Sequence, residues 1–92
     1  MKYYIVQNYE EKDGKVYDCT TRVFSTWSDA RMRQIDLAIM CFEENFPRMG
    51  TEGTSLFALR DFIRRHTDGS VFTYISDDGH LYRISVVEDF EV

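Results

Sequence analysis

The sequence predicts a single α+β domain over residues 1–92, folded as a two-layer sandwich in the order β-β-α-α-β-β. Two β-rich segments joined by a turn signal open the chain, two segments of helical periodicity follow, and two β-rich segments around a second turn close it. Two hairpins combine into one four-stranded antiparallel sheet, and both helices then cover one face of it. A chain of 92 residues is long enough for one compact core.

The first hairpin is predicted from β-rich composition and from a turn dipeptide. Residues 2–9, KYYIVQNY, are rich in aromatic and β-branched side chains, as strands are. Asp13-Gly14 is a strong hairpin signal because both residues tolerate a positive φ. Residues 15–24, KVYDCTTRVF, alternate in polarity, which predicts an antiparallel strand with one buried face.

The middle of the chain predicts two helices. Thr26 and Asp29 form a capping pair before residues 27–46, with Ser28 as a competing cap, and Pro47 ends that helix. We expect this helix to be apolar on two sides and to pack between the sheet and the second helix. Its two predicted stripes are Ile35, Ala38, Ile39, Phe42 and Phe46, and Ala30, Leu37, Met40 and Cys41.

Thr54 or Ser55 is predicted to cap the second helix, and Gly69 to end it. Its core stripe is expected to contain Leu56, Leu59, Phe62, Ile63 and His66. Residues 70–76 and 80–87 then read as strands on either side of a turn at Asp77-Asp78-Gly79.

No motif for catalysis or for cofactor binding is present. Cys19 and Cys41 lack metal-ligand spacing and are expected to be buried free thiols, as suits a reducing cytoplasm. The two histidines, His66 and His80, do not combine with the cysteines at the spacing of a zinc site. The glycines occur singly, so no phosphate-binding loop is indicated. We therefore expect a protein without enzymatic activity, metal or cofactor.

The net charge of −5 is concentrated at the C-terminus. Residues 77–92 hold five carboxylates against Arg83 alone, a sum of −4. Carboxylates spaced along an extended chain imitate a row of phosphates and attract a basic groove. The alternative is an edge strand that is kept soluble by its charge. The candidate partner-binding residues here are Asp77, Asp78, Glu88, Asp89, Phe90 and Glu91.

A second candidate surface lies on the second helix. Phe57, Arg60 and Arg64 fall on one side of it, away from the core stripe. Arginine next to an aromatic ring is typical of protein interfaces and of base-stacking sites. An ordinary solvated helix face is the alternative. The overall acidity argues against nucleic acid as the direct partner, since phosphate neutralisation needs a broad basic surface.

In its small size, acidity and aromatic content, its opening MKYYIVQNY and its helix start STWSDA, the chain resembles phage-encoded inhibitors of the anti-CRISPR kind, which act on type I systems. The resemblance implies a non-enzymatic inhibitor that occupies a basic nucleic-acid-binding surface of a host nucleoprotein defence complex in the cytoplasm. The alternative is a small cytoplasmic adaptor domain that self-associates or binds a protein partner. No stretch of the sequence is apolar enough to predict a membrane span.

Overall fold

The computed structural model describes residues 2–46 and 56–90, except for the side chain of Phe90. The fold is α+β, as predicted, with two helices and one antiparallel sheet in the described residues. Neither of these helices is long and apolar enough to cross a membrane. The elements are β1 (Lys2–Lys12), β2 (Lys15–Phe24), α1 (Trp27–Asn45), α2 (Leu56–Arg65), β3 (Thr67–Asp68), β4 (Val71–Ile75) and β5 (Leu81–Phe90).

The strands lie side by side in the order β2-β1-β5-β4-β3, and every neighbouring pair is antiparallel. The first and last strands of the chain are therefore neighbours at the centre of the sheet. Their pairing runs from Lys2 opposite Phe90 to Glu11 opposite Leu81. β2 forms one edge of the sheet, and the short β3 forms the other.

The prediction of four strands was wrong, because Thr67–Asp68 form a fifth. The second helix ends at Arg65, and Thr67 and Asp68 pair with Phe72 and Val71. Gly69, predicted to end the helix, instead lies in the turn between β3 and β4 with φ 61°. A strand of two residues has no alternation to detect, so the sequence pattern merged it with the helix end.

The structure confirms the predicted hairpin turn between β1 and β2 and the predicted start of α1. Asp13 and Gly14 adopt φ values of 53° and 77°, as a two-residue hairpin turn between β1 and β2 requires. The backbone N–H of Asp29 donates to Thr26 Oγ1 at 3.2 Å, which confirms the predicted N-cap. The predicted helix stop at Pro47 and the predicted caps at Thr54 or Ser55 lie outside the described residues.

The helix α1 packs against the sheet and also against α2. Its buried residues come from both predicted stripes, whereas Met40 is 58% exposed. Gln34, which neither stripe contained, is fully buried. Its Nε2 donates to the carbonyls of Ser70 at 2.9 Å and Ile84 at 2.8 Å, and its Oε1 accepts from Arg31. This amide therefore ties α1 to the strand β5 and to the start of β4.

Phe62 of α2 occupies the centre of an aromatic cluster in the core. Its ring centroid lies 5.2 Å from that of Phe42 on α1, 5.7 Å from Phe72 and 5.0 Å from Tyr74 on β4. Phe72 and Tyr74 are opposite Ile84 and Tyr82 in register, so both helices contact the same face of the sheet. Close aromatic pairs of this geometry stabilise a core beyond their burial alone.

The Gln34 hydrogen bonds give the first prediction. Gln34→Leu keeps the volume but removes the donor to the buried Ile84 carbonyl and to the Ser70 carbonyl, which also accepts from the Val86 N–H. We therefore expect a loss of about 1–3 kcal/mol in the free energy of unfolding. Gln7→Leu, the same change at an exposed position of β1, is the control and should leave stability nearly unchanged. Urea denaturation of both variants measures the difference, and equal stabilities would contradict the role given to Gln34.

Candidate functional site

The predicted C-terminal acidic residues lie near the end of β5. Glu88 is opposite Tyr4, and its Oε1 lies 3.2 Å from Lys2 Nζ. Asp89 is the next residue along the strand, so its side chain points to the other face of the sheet. Phe90 is the last residue of β5, and Glu91 lies outside the described residues. Glu88 and Asp89 therefore do not form a single row on one face.

Asp77 and Asp78 lie in the turn between β4 and β5 and have different surroundings. Asp78 accepts a hydrogen bond from the Ser76 hydroxyl, and its carboxylate lies 3.0 Å from Lys12 Nζ. These two partners lower the pKa of Asp78 to about 2, and the hydrogen bond from Ser76 has the larger effect. The contacts give Asp78 a structural role in holding the turn against β1. Asp77 is exposed to solvent.

The two predicted groups of carboxylates are therefore far apart. Asp77 and Asp78 precede β5, whereas Glu88 and Asp89 are near its end. Seven residue steps lead from Leu81 to Glu88, which at about 3.4 Å each amounts to roughly 24 Å. The two groups of carboxylates therefore lie near opposite ends of β5 and form two separate candidate surfaces.

The turn at Asp77 and Asp78 belongs to a larger acidic surface. The antiparallel pairing of β1 with β5 places this turn next to the end of β1 and its hairpin turn. The helix α1 ends at the same end of the sheet, since Glu44 and Glu10 line one groove. We call this surface the acidic end. Its seven carboxylates belong to Glu10, Glu11, Asp13, Glu43, Glu44, Asp77 and Asp78, and its lysines are Lys12 and Lys15.

Glu10 occupies an unfavourable place within the acidic end. Burial raises the pKa of its carboxyl, and the nearby carboxylates of Glu44 and Asp18 raise it further. His80 Nε2 lies 3.4 Å from Glu10 Oε1, without the geometry of a hydrogen bond. The His80 ring is held by stacking on Tyr82, with centroids 4.3 Å apart. The charged form of Glu10 is thus poorly compensated.

A groove of about 300 Å³ opens beside Glu10, between α1 and the strands β1 and β2. Cys41 lines it, and burial, together with the carboxylates of Glu44 and Glu10, raises the pKa of that thiol to about 12. A thiol with so high a pKa remains protonated at neutral pH and is a poor nucleophile. Cys19 is exposed on β2, so the prediction that both cysteines are buried was wrong for Cys19. The described residues contain no group of His, Cys, Asp and Glu arranged to hold a metal.

The structure brings Phe57, Arg60 and Arg64 together, as the sequence predicted. They line a groove of about 810 Å³ between α2 and α1, to which Arg31 also contributes. Phe57 is 76% exposed and is the most exposed large apolar side chain among the described residues. Asp61 lies 3.5 Å from Arg64 and 2.5 Å from Arg65, and this pairing offsets part of the positive charge.

Five carboxylates of the acidic end were not predicted from the sequence, those of Glu10, Glu11, Asp13, Glu43 and Glu44. They lie far along the chain from Asp77 and Asp78, and only the strand order and the direction of α1 make them neighbours. The sequence contains one indirect signal for this surface, the two turns Asp13-Gly14 and Asp77-Asp78-Gly79. These turns meet at one end of the sheet if the first and the last strand of the chain pair with each other.

Comparison of the chain with protein-family models, with curated proteins and with solved structures finds no match. The acidic end gathers carboxylates from three parts of the chain. The groove between α1 and α2, which we call the basic groove of this protein, combines the exposed ring of Phe57 with partly neutralised arginines.

The raised pKa of Glu10 gives a prediction about pH. A carboxyl that binds its proton more tightly in the folded chain than in the unfolded chain lowers stability as the pH rises through that pKa. At neutral pH, Glu10→Gln removes this unfavourable charge, and we expect the melting temperature to rise by about 2–4 °C. Below pH 4.5, the ordinary glutamate value, the gain should disappear because the carboxyl is protonated in both states.

Glu43→Gln is the matched control, since Glu43 is exposed on α1 and the change in charge is the same. Its melting temperature should follow that of the wild type more closely at both pH values. Thermal unfolding followed by circular dichroism provides the measurement. A Glu10→Gln variant that is less stable than the wild type at neutral pH would show that the contact with His80 outweighs the cost of burial.

Proposed function

We propose that this protein is a non-enzymatic, phage-derived inhibitor of the anti-CRISPR kind. In this proposal the acidic end occupies a basic nucleic-acid-binding surface of a host nucleoprotein defence complex, and the protein acts in the host cytoplasm. The observation that carries the proposal is the concentration of seven carboxylates, against two lysines, at one end of a small sheet. The C-terminal carboxylates Glu88 and Asp89 are secondary in this proposal because they lie at the opposite end.

Charge complementarity explains why such a surface suits this role. A groove that binds nucleic acid is lined by lysine and arginine, whose favourable contacts are with closely spaced negative charges. The carboxylates of the acidic end, which come from two turns and a helix end, are also closely spaced negative charges, as the phosphates of nucleic acid are. Complementary patches also raise the association rate through long-range attraction. An inhibitor that competes with abundant nucleic acid benefits from that rate.

The energetic cost of the acidic end also supports a role in binding. Glu10 is partly buried beside Glu44 and Asp18, an arrangement that lowers stability at neutral pH. Side chains that reduce stability without a compensating contact are typical of functional surfaces. A neutral glutamine at position 10 would preserve the fold without that cost.

A second candidate function, that of an adaptor domain, is favoured by the groove between the helices. Leu56 and Phe57 are 74% and 76% exposed at the start of α2, so the prediction that Leu56 belongs to the core was wrong. An exposed aromatic ring flanked by arginines is a common anchor in protein interfaces. The pairing of Asp61 with Arg64 and Arg65 makes this groove better suited to a protein than to nucleic acid. In the inhibitor, the same groove would provide a second protein contact.

The acidic end can be tested by removing charge at one place and comparing the result with removal elsewhere. The test variant combines Glu43→Gln, Glu44→Gln and Asp77→Asn, all at exposed positions. The assay measures target-DNA binding by guide-loaded type I surveillance complexes of several subtypes, with and without the protein, at low and moderate salt. We expect the wild type to block DNA binding by at least one complex. The variant should require about tenfold more protein, with a weaker dependence on salt.

The matched control combines Asp36→Asn, Glu88→Gln and Asp89→Asn, which removes the same charge outside the acidic end. It should inhibit almost as well as the wild type. If this control loses inhibition and the test variant keeps it, the C-terminal carboxylates are the contact surface instead. No inhibition of any complex by the wild-type protein would refute the inhibitor function.

A further inference from the structure

The strand β2 is an open edge of the sheet. One side of it pairs with β1, and no other strand in the described residues pairs with its outer side. It is 10 residues long, and eight of these residues are exposed. The opposite edge, β3, has only two residues. A long open edge presents unpaired backbone N–H and C=O groups, which readily pair with another strand.

The sequence of β2 is complementary to itself when two copies run antiparallel. A two-fold axis perpendicular to a sheet requires one residue to face its own copy. With Thr20 on the axis, Cys19 is opposite Thr21, and Asp18 is opposite Arg22. Asp18 of each copy then faces Arg22 of the other copy, which gives one pair of opposite charges on each side of the axis. Opposite charges directly across an antiparallel pair stabilise it, whereas like charges destabilise it.

The orientation of the two charged side chains agrees with this pairing. Asp18 and Arg22 are opposite Glu10 and Val6 of β1, so they share the face of the sheet that the helices cover. Asn8 Nδ2 donates to Asp18 Oδ2 at 3.0 Å and holds that carboxylate in place. The Arg22 guanidinium lies 5.7 Å from the centroid of the Phe24 ring. Both side chains therefore lie on the same face of the edge strand.

We propose that β2 pairs antiparallel with β2 of a second copy of this chain about Thr20, which joins the two sheets into one of ten strands. The register shift between Glu10 and Glu11 ends the regular strand just before Asp18, so the pairing extends over residues 18–22. An interface of five residues from each chain is short, so the dimer depends on concentration. This proposal uses neither the acidic end nor the basic groove and is independent of the proposed function.

Charge exchange across the axis tests the register. Asp18→Arg places arginine against arginine on both sides of the axis, and Arg22→Asp places aspartate against aspartate. Each variant alone should dissociate about tenfold more readily than the wild type. An equimolar mixture of the two should dimerise again, because both arginines of one chain then face the two aspartates of the other. Sedimentation velocity over a concentration series measures the wild type, each variant and the mixture.

Glu43→Arg and Arg60→Asp, which change the charge equally at positions away from β2, are the controls and should dimerise like the wild type. A wild type that stays monomeric over the whole series would overturn the proposal and leave the edge for a strand of another protein. Dimers that persist in both β2 variants would place the interface elsewhere.

Cross-linking gives a second measurement that does not depend on charge. Residues facing each other across antiparallel strands have Cα atoms about 4.5–5.5 Å apart, within the range that a disulfide spans. In a Cys19→Ser background, Thr20→Cys should therefore form a disulfide-linked dimer under mild oxidation. Val16→Cys is the control, because in this register its two copies lie roughly 27 Å apart, eight steps of about 3.4 Å. Equal cross-linking of both variants would indicate random collision and contradict the register.

Discussion

The pairing of β1 with β5 is the constraint on which the rest of the structure depends. It joins the two ends of the described chain over ten consecutive residue pairs, from Lys2 opposite Phe90 to Glu11 opposite Leu81. Each hairpin alone would be marginally stable, and their union provides a sheet wide enough for two helices. These contacts have the largest sequence separation in the molecule. We therefore expect them to form late and to limit the folding rate.

The same pairing decides where the charges lie. Because β1 and β5 are antiparallel neighbours, the turn after β1 and the turn before β5 emerge at the same end of the sheet. The helix α1 starts at the other end, where the rings of Trp27 and Tyr4 lie 6.0 Å apart, and its last turn returns to these turns. Carboxylates that are dispersed along the sequence become one surface in this way. At Glu10, burial is the main cause of the raised pKa, and the neighbouring carboxylate of Glu44 adds to it.

The central position of β1 and β5 also leaves β2 at an edge. Natural sheets protect long edges with proline, with central lysines or with covering segments. Over residues 18–22, β2 has only Asp18 and Arg22 as charged residues, and they occupy positions that match in a two-fold pairing. Charged residues on an edge strand normally oppose pairing with another strand. In β2 they instead favour one register of pairing with a second copy, that centred on Thr20. A dimer formed there would keep the acidic end and the basic groove of each copy outside the paired strands.

The sequence by itself determined the features that depend on neighbouring residues. The turn at Asp13-Gly14, the Thr26 cap and the helical neighbours Phe57, Arg60 and Arg64 each follow from short-range spacing, and the structure contains them. Only the tertiary structure decided the rest. The strand β3 exists because Thr67 and Asp68 meet β4, and Gln34 is buried because Ser70 and Ile84 offer it carbonyls. The acidic end, likewise, depends on strand order. These features arise from residues that are distant in the chain, and no local pattern records which distant segments will pack together.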